Sequence, residues 1–357
     1  MDRPFVDELR IENYGCIRDA TFRFTPLHAL IGPNDSGKST VLRALRTLGY
    51  LLGGGSDETR AALANAMVAA APADVQRRID VSAGDASALF GFNRAASLVW
   101  RGYGRGARPA ADALRGAVGA SFEPFGASLP SPAVVGALRG TQLLRLDPDA
   151  LRRPCPLLAD GRPLVFSDEH GAGLPALYDA LIVRDVQAYV ALNAQLTALF
   201  PSVKSVQLTT PSTSLRGLGV RLQDGTFVGA DQMSEGLLYY LAYAILPHLQ
   251  QATLLLVEEP ENGLHPARIA EVMRVLRAVS EKTQVVIATH SPLVVNELRP
   301  EEVTVVTRSA DAGTKATPIA ETPGFAERAK VYALGELWLS YANGQDEAPL
   351  LEGGPRP

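Results

Sequence analysis

Three observations predict an α/β fold in which a mostly parallel sheet is covered by helices on both faces. Short apolar strands alternate with helical patterns over residues 8–55 and 200–308. A glycine-bearing loop joins one of these strands directly to the helix that follows it. Two further strands are apolar throughout, as strands buried on both faces must be, and end in acids or a histidine.

Taken in order, Leu9 and Ile11 alternate with polar neighbours, as do Phe22 and Phe24, and Leu27 to Ile31 is a short apolar run, so residues 8–31 read as strands. Val41, Leu42, Leu45, Leu48 and Leu52 then recur at helical spacing until Gly53, Gly54 and Gly55 stop the helix. Residues 56–199 are rich in Ala, Gly and Pro, with helical stretches near 58–71 and 172–200 and a weakly patterned middle, and read as an inserted, mostly helical lobe. RGYGRGAR at 101–108 is its most flexible piece. Strands are expected at Val203 to Leu208 and Leu215 to Leu222, followed by an Asp224-Gly225 hairpin turn and an apolar helix over 235–246 that Pro247 ends. Leu254 to Val257 and Gln284 to Ala288 read as buried strands. Between them, Pro266 opens an amphipathic helix with Ile269, Val272, Met273, Leu276 and Val279 on one face. A strand from Glu302 to Thr307 and a helix over 327–343 complete the pattern, so the expected domains are a core (1–55 and 200–308), an insertion (56–199) and a C-terminal helix and tail (309–357).

Composition narrows the function classes. The chain has 357 residues, 46% of them hydrophobic and 20% charged, which is enough to bury a core and unlike disordered or collagen-like chains. The longest apolar run, Leu237 to Leu246, is about half of the roughly 20 residues a membrane helix needs, so no membrane span is expected. The opening MDRPFVDELR carries charge where a secretory signal would be apolar, and the two cysteines, Cys16 and Cys155, form no CxxC pair. A cytoplasmic, reduced setting is the expectation. The net charge of −4 excludes a globally basic nucleic-acid binder. Residues 93–162, however, hold ten Arg against five acids, a local +5 within the inserted lobe. There RGYGRGAR is either a phosphate-contacting segment or a solvated loop; Trp100 and Trp338 read as packing residues.

Four motifs carry chemistry. GPNDSGKST (Gly32, Pro33, Asn34, Asp35, Ser36, Gly37, Lys38, Ser39, Thr40) fits G-x-x-x-x-G-K-[ST] between a strand and a helix. In that context backbone N–H groups and the helix N-terminus cradle nucleotide phosphates, Lys38 reaches the terminal phosphates and Ser39 takes Mg²⁺. TLLLVEEPENGLHP at 253–266 delivers two acids at the carboxyl end of a buried strand. Because neighbours on a strand face opposite sides, Glu258 is assigned to Mg²⁺ and Glu259 to the attacking water as general base. QVVIATHSP at 284–292 puts His290 just past another strand end, where it can bond the terminal phosphate or orient the water. In MSEG at 233–236, Ser234 is an N-cap whose hydroxyl and helix N-terminus also suit an anion. A rival grouping of Glu258, Glu259, Glu261, His265 and His290 as a transition-metal site lacks the tight spacing of motifs such as HExxH.

The order of these motifs resembles the ATP-binding-cassette ATPase superfamily, in the branch that holds SMC, RecF and OLD (overcoming-lysogenization-defect) proteins, over residues 1–55 and 200–308. The resemblance implies that GPNDSGKST is Walker A, MSEG the signature, TLLLVEE Walker B, PENGLHP the D-loop and His290 the switch histidine. It further implies that Ser234 and Gly236 act in trans, closing over the ATP of a second copy in a head-to-tail dimer with two nucleotides between subunits. Each charge-assisted hydrogen bond across such a joint contributes about 1.5 to 3 kcal/mol, so losing the γ-phosphate opens it. Glu258 stands where Walker B commonly has Asp, the signature lacks the LSGGQ form of transporters, and no heptad arm of chromosome-scale SMC proteins interrupts the fold. Gln142 is a candidate for the Q-loop. Only 67 residues follow His290, too few for the Toprim nuclease of OLD proteins.

The resulting expectation is a Mg²⁺-dependent ATPase whose dimer controls a separate effector protein, a nuclease foremost, as the stand-alone ATPases of anti-phage systems such as Septu or certain retrons do. Alternatives are a RecF-like repair ATPase that clamps DNA and a nucleotide-binding scaffold with negligible turnover.

Overall fold

The computed structural model describes residues 4–53, 77–92, 98–104, 131–309, 311 and 313–337. They divide between two compact units, one made of Met1–Leu143, Ala252–Glu259 and Ser280–Pro357, the other of Leu144–Gln251 and Pro260–Val279. Among the described residues no helix is long and apolar enough to cross a membrane.

The first unit opens with β1 (Glu8–Tyr14), β2 (Ile17–Arg23) and β3 (Leu27–Ile31), followed by helix α1 (Lys38–Gly53). Strands β4 (Arg77–Ala83), β5 (Ala86–Phe92) and β6 (Leu98–Gly104) come next. They extend the β1–β2 hairpin into a five-stranded antiparallel sheet of order β2-β1-β4-β5-β6. These strands fall in the stretch expected as a helical insertion. Ile79, Val81 and Ala83 are buried at period 2 and Gly84, at φ 58°, turns the chain back. Arg101 to Gly104 of RGYGRGAR belong to β6 and pair with β5, so that half of the segment is sheet; residues 105–108, the expected helix at 58–71 and Trp338 lie outside the described residues.

Helix α2 (Pro132–Leu138) leads to β7 (Thr141–Leu144), which holds Gln142. A second sheet has the order β15-β14-β3-β13-β12-β7, where β12 is Leu254–Glu258, β13 Gln284–Thr289, β14 Val303–Ser309 and β15 Gly313–Pro318. Strands β14, β3, β13 and β12 run parallel and β15 antiparallel, the mixed, mostly parallel sheet expected. The side chains of β3 and β13 are buried throughout, which explains their mostly apolar character. Leu9, Phe22, Leu42, Leu45, Leu48, Val81, Phe90, Leu254 and Val286 share one core, so α1 is clamped by both sheets. His28 is buried within it, between the hydroxyls of Thr25 at 3.2 Å and Thr304 at 2.9 Å, and burial pushes its pKa down to about 3.

The second unit contains α3 (Pro148–Arg152), β8 (Cys155–Pro156), α4 (Leu174–Arg184), α5 (Val186–Leu199), β9 (Val203–Ser212), β10 (Leu215–Leu222), β11 (Phe227–Gly229), α6 (Glu235–Ala244) and α7 (Pro266–Ser280). The single helix expected over 172–200 is two, because Asp185 ends α4 at φ −151° and caps α5 by accepting from Ala188 N–H at 3.0 Å. Gly225, at φ 88°, makes the expected turn between β10 and β11. Helix α6 gives way to a 3-10 turn, Leu246–His248, that contains Pro247. Tyr178 donates to the Leu241 carbonyl at 3.0 Å and ties α4 to α6. Short helices α8 (Pro292–Asn296) and α9 (Phe325–Arg328) belong to the first unit. The described part of the expected 327–343 helix is helical at its start, in α9, and again over 334–337, with turns between the two pieces.

Candidate functional site

Residues 32–38 leave the carboxyl end of β3 and return as the first turn of α1. Gly32 has φ 158°, and a Cβ there would collide with the Val306 carbonyl of β14, so only glycine lets β3 and β14 run this close at the loop's start. Asp35 at φ 63° and Gly37 at φ 114° complete the curl; Asp tolerates the left-handed region better than most residues. The loop is held from outside by Thr314, whose hydroxyl donates to the Ser36 carbonyl at 3.1 Å, and by Cys16, 3.4 Å from the Thr40 hydroxyl. Lys38 is buried, and its Nζ donates to the carbonyls of Gly32 at 2.7 Å and Pro33 at 2.6 Å, which fixes the ammonium over the loop. The Ser36 hydroxyl is buried with no hydrogen-bond partner among the described residues. A buried unpaired hydroxyl is costly, and such groups mark places where a ligand or water completes the structure.

The register brings the other two motifs to the same edge. Ile31 pairs with Thr289, and Ala288 pairs with Glu258, so β3, β13 and β12 end side by side. In open α/β sheets this carboxyl edge is where ligands bind. Glu258 is the last residue of β12, and Glu259 is past it at φ 46°, its N–H bonded to the Ala288 carbonyl at 2.8 Å. Glu259 thus lies beyond the strand with a left-handed backbone, so strand alternation does not govern where its side chain points. A bulky residue in this region is strained, and Pro260 restricts it further. Glu259 Oε1 lies 3.3 Å from His290 Nδ1, both side chains partly exposed. The pair can hold a water between a proton acceptor and a ring that orients it. Ser39 sits in the first turn of α1. Its hydroxyl and the Glu258 carboxylate are hard oxygen donors of the type Mg²⁺ takes.

Ser234 and Gly236 belong to the second unit, where both have local duties. Ser234 caps α6, its hydroxyl accepting from Leu237 N–H at 3.4 Å. A Cβ on Gly236 would stand 2.9 Å from the Gly263 carbonyl, and one on Gly263, at φ 67°, would strike the Tyr239 ring. Sequence spacing alone did not disclose this interlock, nor the grip of Val306 and Thr314 on the phosphate loop. The turn at Gly15, φ 57°, between β1 and β2 was not legible within the strand pattern of residues 8–31, nor was its nearness to Thr40, whose methyl a Cβ on Gly15 would meet at 2.6 Å. Gln142 lies half-buried in β7, which pairs with β12. Among the described residues no three His, Cys, Asp or Glu side chains gather as a metal-ligating cluster.

A glycine-bearing loop, an acidic strand end and a histidine strand end lie on one edge of a P-loop-type α/β sheet. Residues 133–296 match the family model described as "AAA domain, putative AbiEii toxin, Type IV TA system", and residues 5–50 match the model of the AAA ATPase domain. Among solved structures the chain is similar to an SMC head bound to the C-winged helix domain of ScpA, at 14% identity and TM-score 0.57 over 88% of this chain and 97% of that one. An Smc head with an extended coiled coil, bound to the C-terminal domain of ScpA from Pyrococcus furiosus, is similar at 13% identity and TM-score 0.57, covering 88% and 96%. The Smc head with a coiled coil and joint from Pyrococcus yayanosii matches at 9% identity and TM-score 0.52, covering 88% and 97%. These likenesses establish the fold. No curated protein matches the chain in sequence.

Proposed function

We propose that the chain hydrolyses ATP with Mg²⁺ and uses its nucleotide state to control a separate protein. The observation that carries this reading is the common edge of β3, β13 and β12, where Lys38 over its loop, the strained Glu259 and His290 at 3.3 Å from it come from three adjacent strand ends. The N–H groups of residues 34–40 and the Lys38 ammonium bind the phosphates. Glu259 accepts a proton as water attacks the γ-phosphorus, and His290 keeps the carboxylate and the water aligned. Ser39 and Glu258 hold Mg²⁺, which when bound neutralises charge on the phosphate oxygens.

In this reading two copies meet head to tail, and Ser234 and the N-terminus of α6 on one copy close over the triphosphate held by the other. The first N–H groups of a helix have no intrahelical acceptor, so that surface suits a phosphate. Two of the similar SMC heads were solved with ScpA domains bound, and by analogy this head engages a protein partner. We assign that partner as an effector, a nuclease foremost, in cytoplasmic anti-phage defence.

The test is turnover and assembly together. Wild-type protein should release phosphate from Mg²⁺-ATP, and Glu259→Gln should bind ATP and dimerise while turnover falls by about 10²-fold or more. Equal turnover in both proteins removes Glu259 from its role. Affinity capture with Glu259→Gln and ATP should bring down a nuclease; capture of DNA alone, in a complex that weakens steeply with salt, favours the DNA-clamping alternative.

A further inference from the structure

Arg152 has no part in the chemistry above, yet it touches the signature turn. It closes α3, whose start is fixed by Asp147 accepting from the N–H groups of Asp149 at 2.8 Å and Ala150 at 3.1 Å. The Arg152 side chain is only 24% exposed. Its Nη1 donates to Asp149 at 3.1 Å, its Nη2 to the Met233 carbonyl at 3.5 Å, and its Nε is enclosed with no hydrogen-bond partner among the described residues. Arginine heads ordinarily reach for water. This one is turned instead onto the carbonyl immediately before Ser234.

The consequence follows from peptide geometry. The described backbone contains no cis peptide bond, and in a trans peptide the C=O and N–H point in opposite directions. Holding the Met233 carbonyl therefore aims the Ser234 N–H away from Arg152. Met233 is buried, and its own N–H is bonded to the Gly229 carbonyl at 3.1 Å, so the turn is pinned from both sides just before α6 begins. Resting on the reading in which Ser234 closes over the nucleotide of a second copy, we infer that Arg152 is a positioning residue of that joint. It sets the orientation of the signature turn and lends positive charge beside a triphosphate that arrives from the partner copy.

The test separates this role from simple support of the fold. In the Glu259→Gln background, Arg152→Ala should leave the affinity of the monomer for a fluorescent ATP analogue within twofold and weaken ATP-dependent dimerisation by more than tenfold. In the otherwise wild-type protein it should lower kcat by more than tenfold with KM little changed. Arg152→Lys, which keeps the charge and a donor, should restore most of the dimerisation. Asp149→Ala, which breaks the ion pair but leaves the Met233 contact, should dimerise like its parent. Dimerisation of Arg152→Ala at the parent's level, or equal losses in Asp149→Ala, would overturn the assignment. If Arg152→Ala does not fold, Arg152→Gln serves: a loss of more than threefold supports the role and no loss refutes it. Failure of Glu259→Gln itself to dimerise with ATP brings down the joint and the part of Arg152 with it, an outcome distinct from failure of Arg152→Ala alone.

Discussion

In the phosphate-loop unit Glu259 sits at φ 46° and the Ser36 hydroxyl is buried without a partner among the described residues, whereas in the unit of α6 Ser234 caps its helix and Gly236 nests against the Gly263 carbonyl. At the loop, strain and an unmet hydrogen bond remain; at the start of α6, Ser234 and Gly236 are accounted for locally, and the unmet donor beside them belongs to Arg152. Unrelieved strain of this kind persists only where surrounding structure enforces it. The residues of α6 need no ligand to account for them, so any chemistry they perform depends on what a second molecule brings.

Substitutions can break this contrast, beginning with the largest effect. Glu259→Asn should lose turnover by about 10²- to 10⁴-fold as the general base disappears, yet melt no lower than wild type, because Asn accepts the left-handed backbone. A matching drop in melting temperature would mean that Glu259 supports the fold instead. In the other unit Gly263→Ala adds a Cβ in the left-handed region against Tyr239 and should cost about 2 to 3 kcal/mol in denaturant unfolding. Gly236→Ala should cost less, since its clash is with a single carbonyl.

Protonation of His28 gives a graded effect in the first unit, smaller per pH unit. Its folded pKa, about 3, is below the ordinary 6.5, so the unfolded chain binds the proton first as pH falls. Its contribution is intact above pH 6.5 and is lost at roughly 1.4 kcal/mol per pH unit between 6.5 and about 3. Urea titrations of His28→Gln should show a shallower acid slope than wild type; identical slopes would place the acid sensitivity elsewhere. Smallest in stability is Ser234→Ala, at about 1 kcal/mol for a lost N-cap. Ser234→Asp restores the cap but opposes a phosphate, so it should fold like wild type and lose ATP-dependent dimerisation. If it dimerises normally, Ser234 is a cap and nothing more.

How far these sites could be read in advance depended on the range of the interactions involved. GPNDSGKST was legible because strand, curled loop and helix are contiguous, and Leu254 to Val257 because burial on both faces leaves an unbroken apolar run. The strands β4 and β5 were obscured by their small residues, Ser82, Ala83, Ala86, Ser87 and Ala88, which carry little strand preference of their own and pair because β1 offers an edge. The left-handed turn at Glu259 has no local signature, since Glu is a poor choice for that conformation. It is imposed by the bond from its N–H to Ala288 on a neighbouring strand.

Much of the local order thus followed from the sequence itself: the strand, loop and helix around GPNDSGKST, the buried strand Leu254 to Val257, and Ser234 as the start of a helix. The order β3-β13-β12 came only with the tertiary structure, and with it the meeting of Lys38, Glu259 and His290 at one edge. Hydrophobic periodicity tells a strand which faces to bury, but its neighbours are chosen by packing among segments more than two hundred residues apart, and that choice is made by the whole core at once.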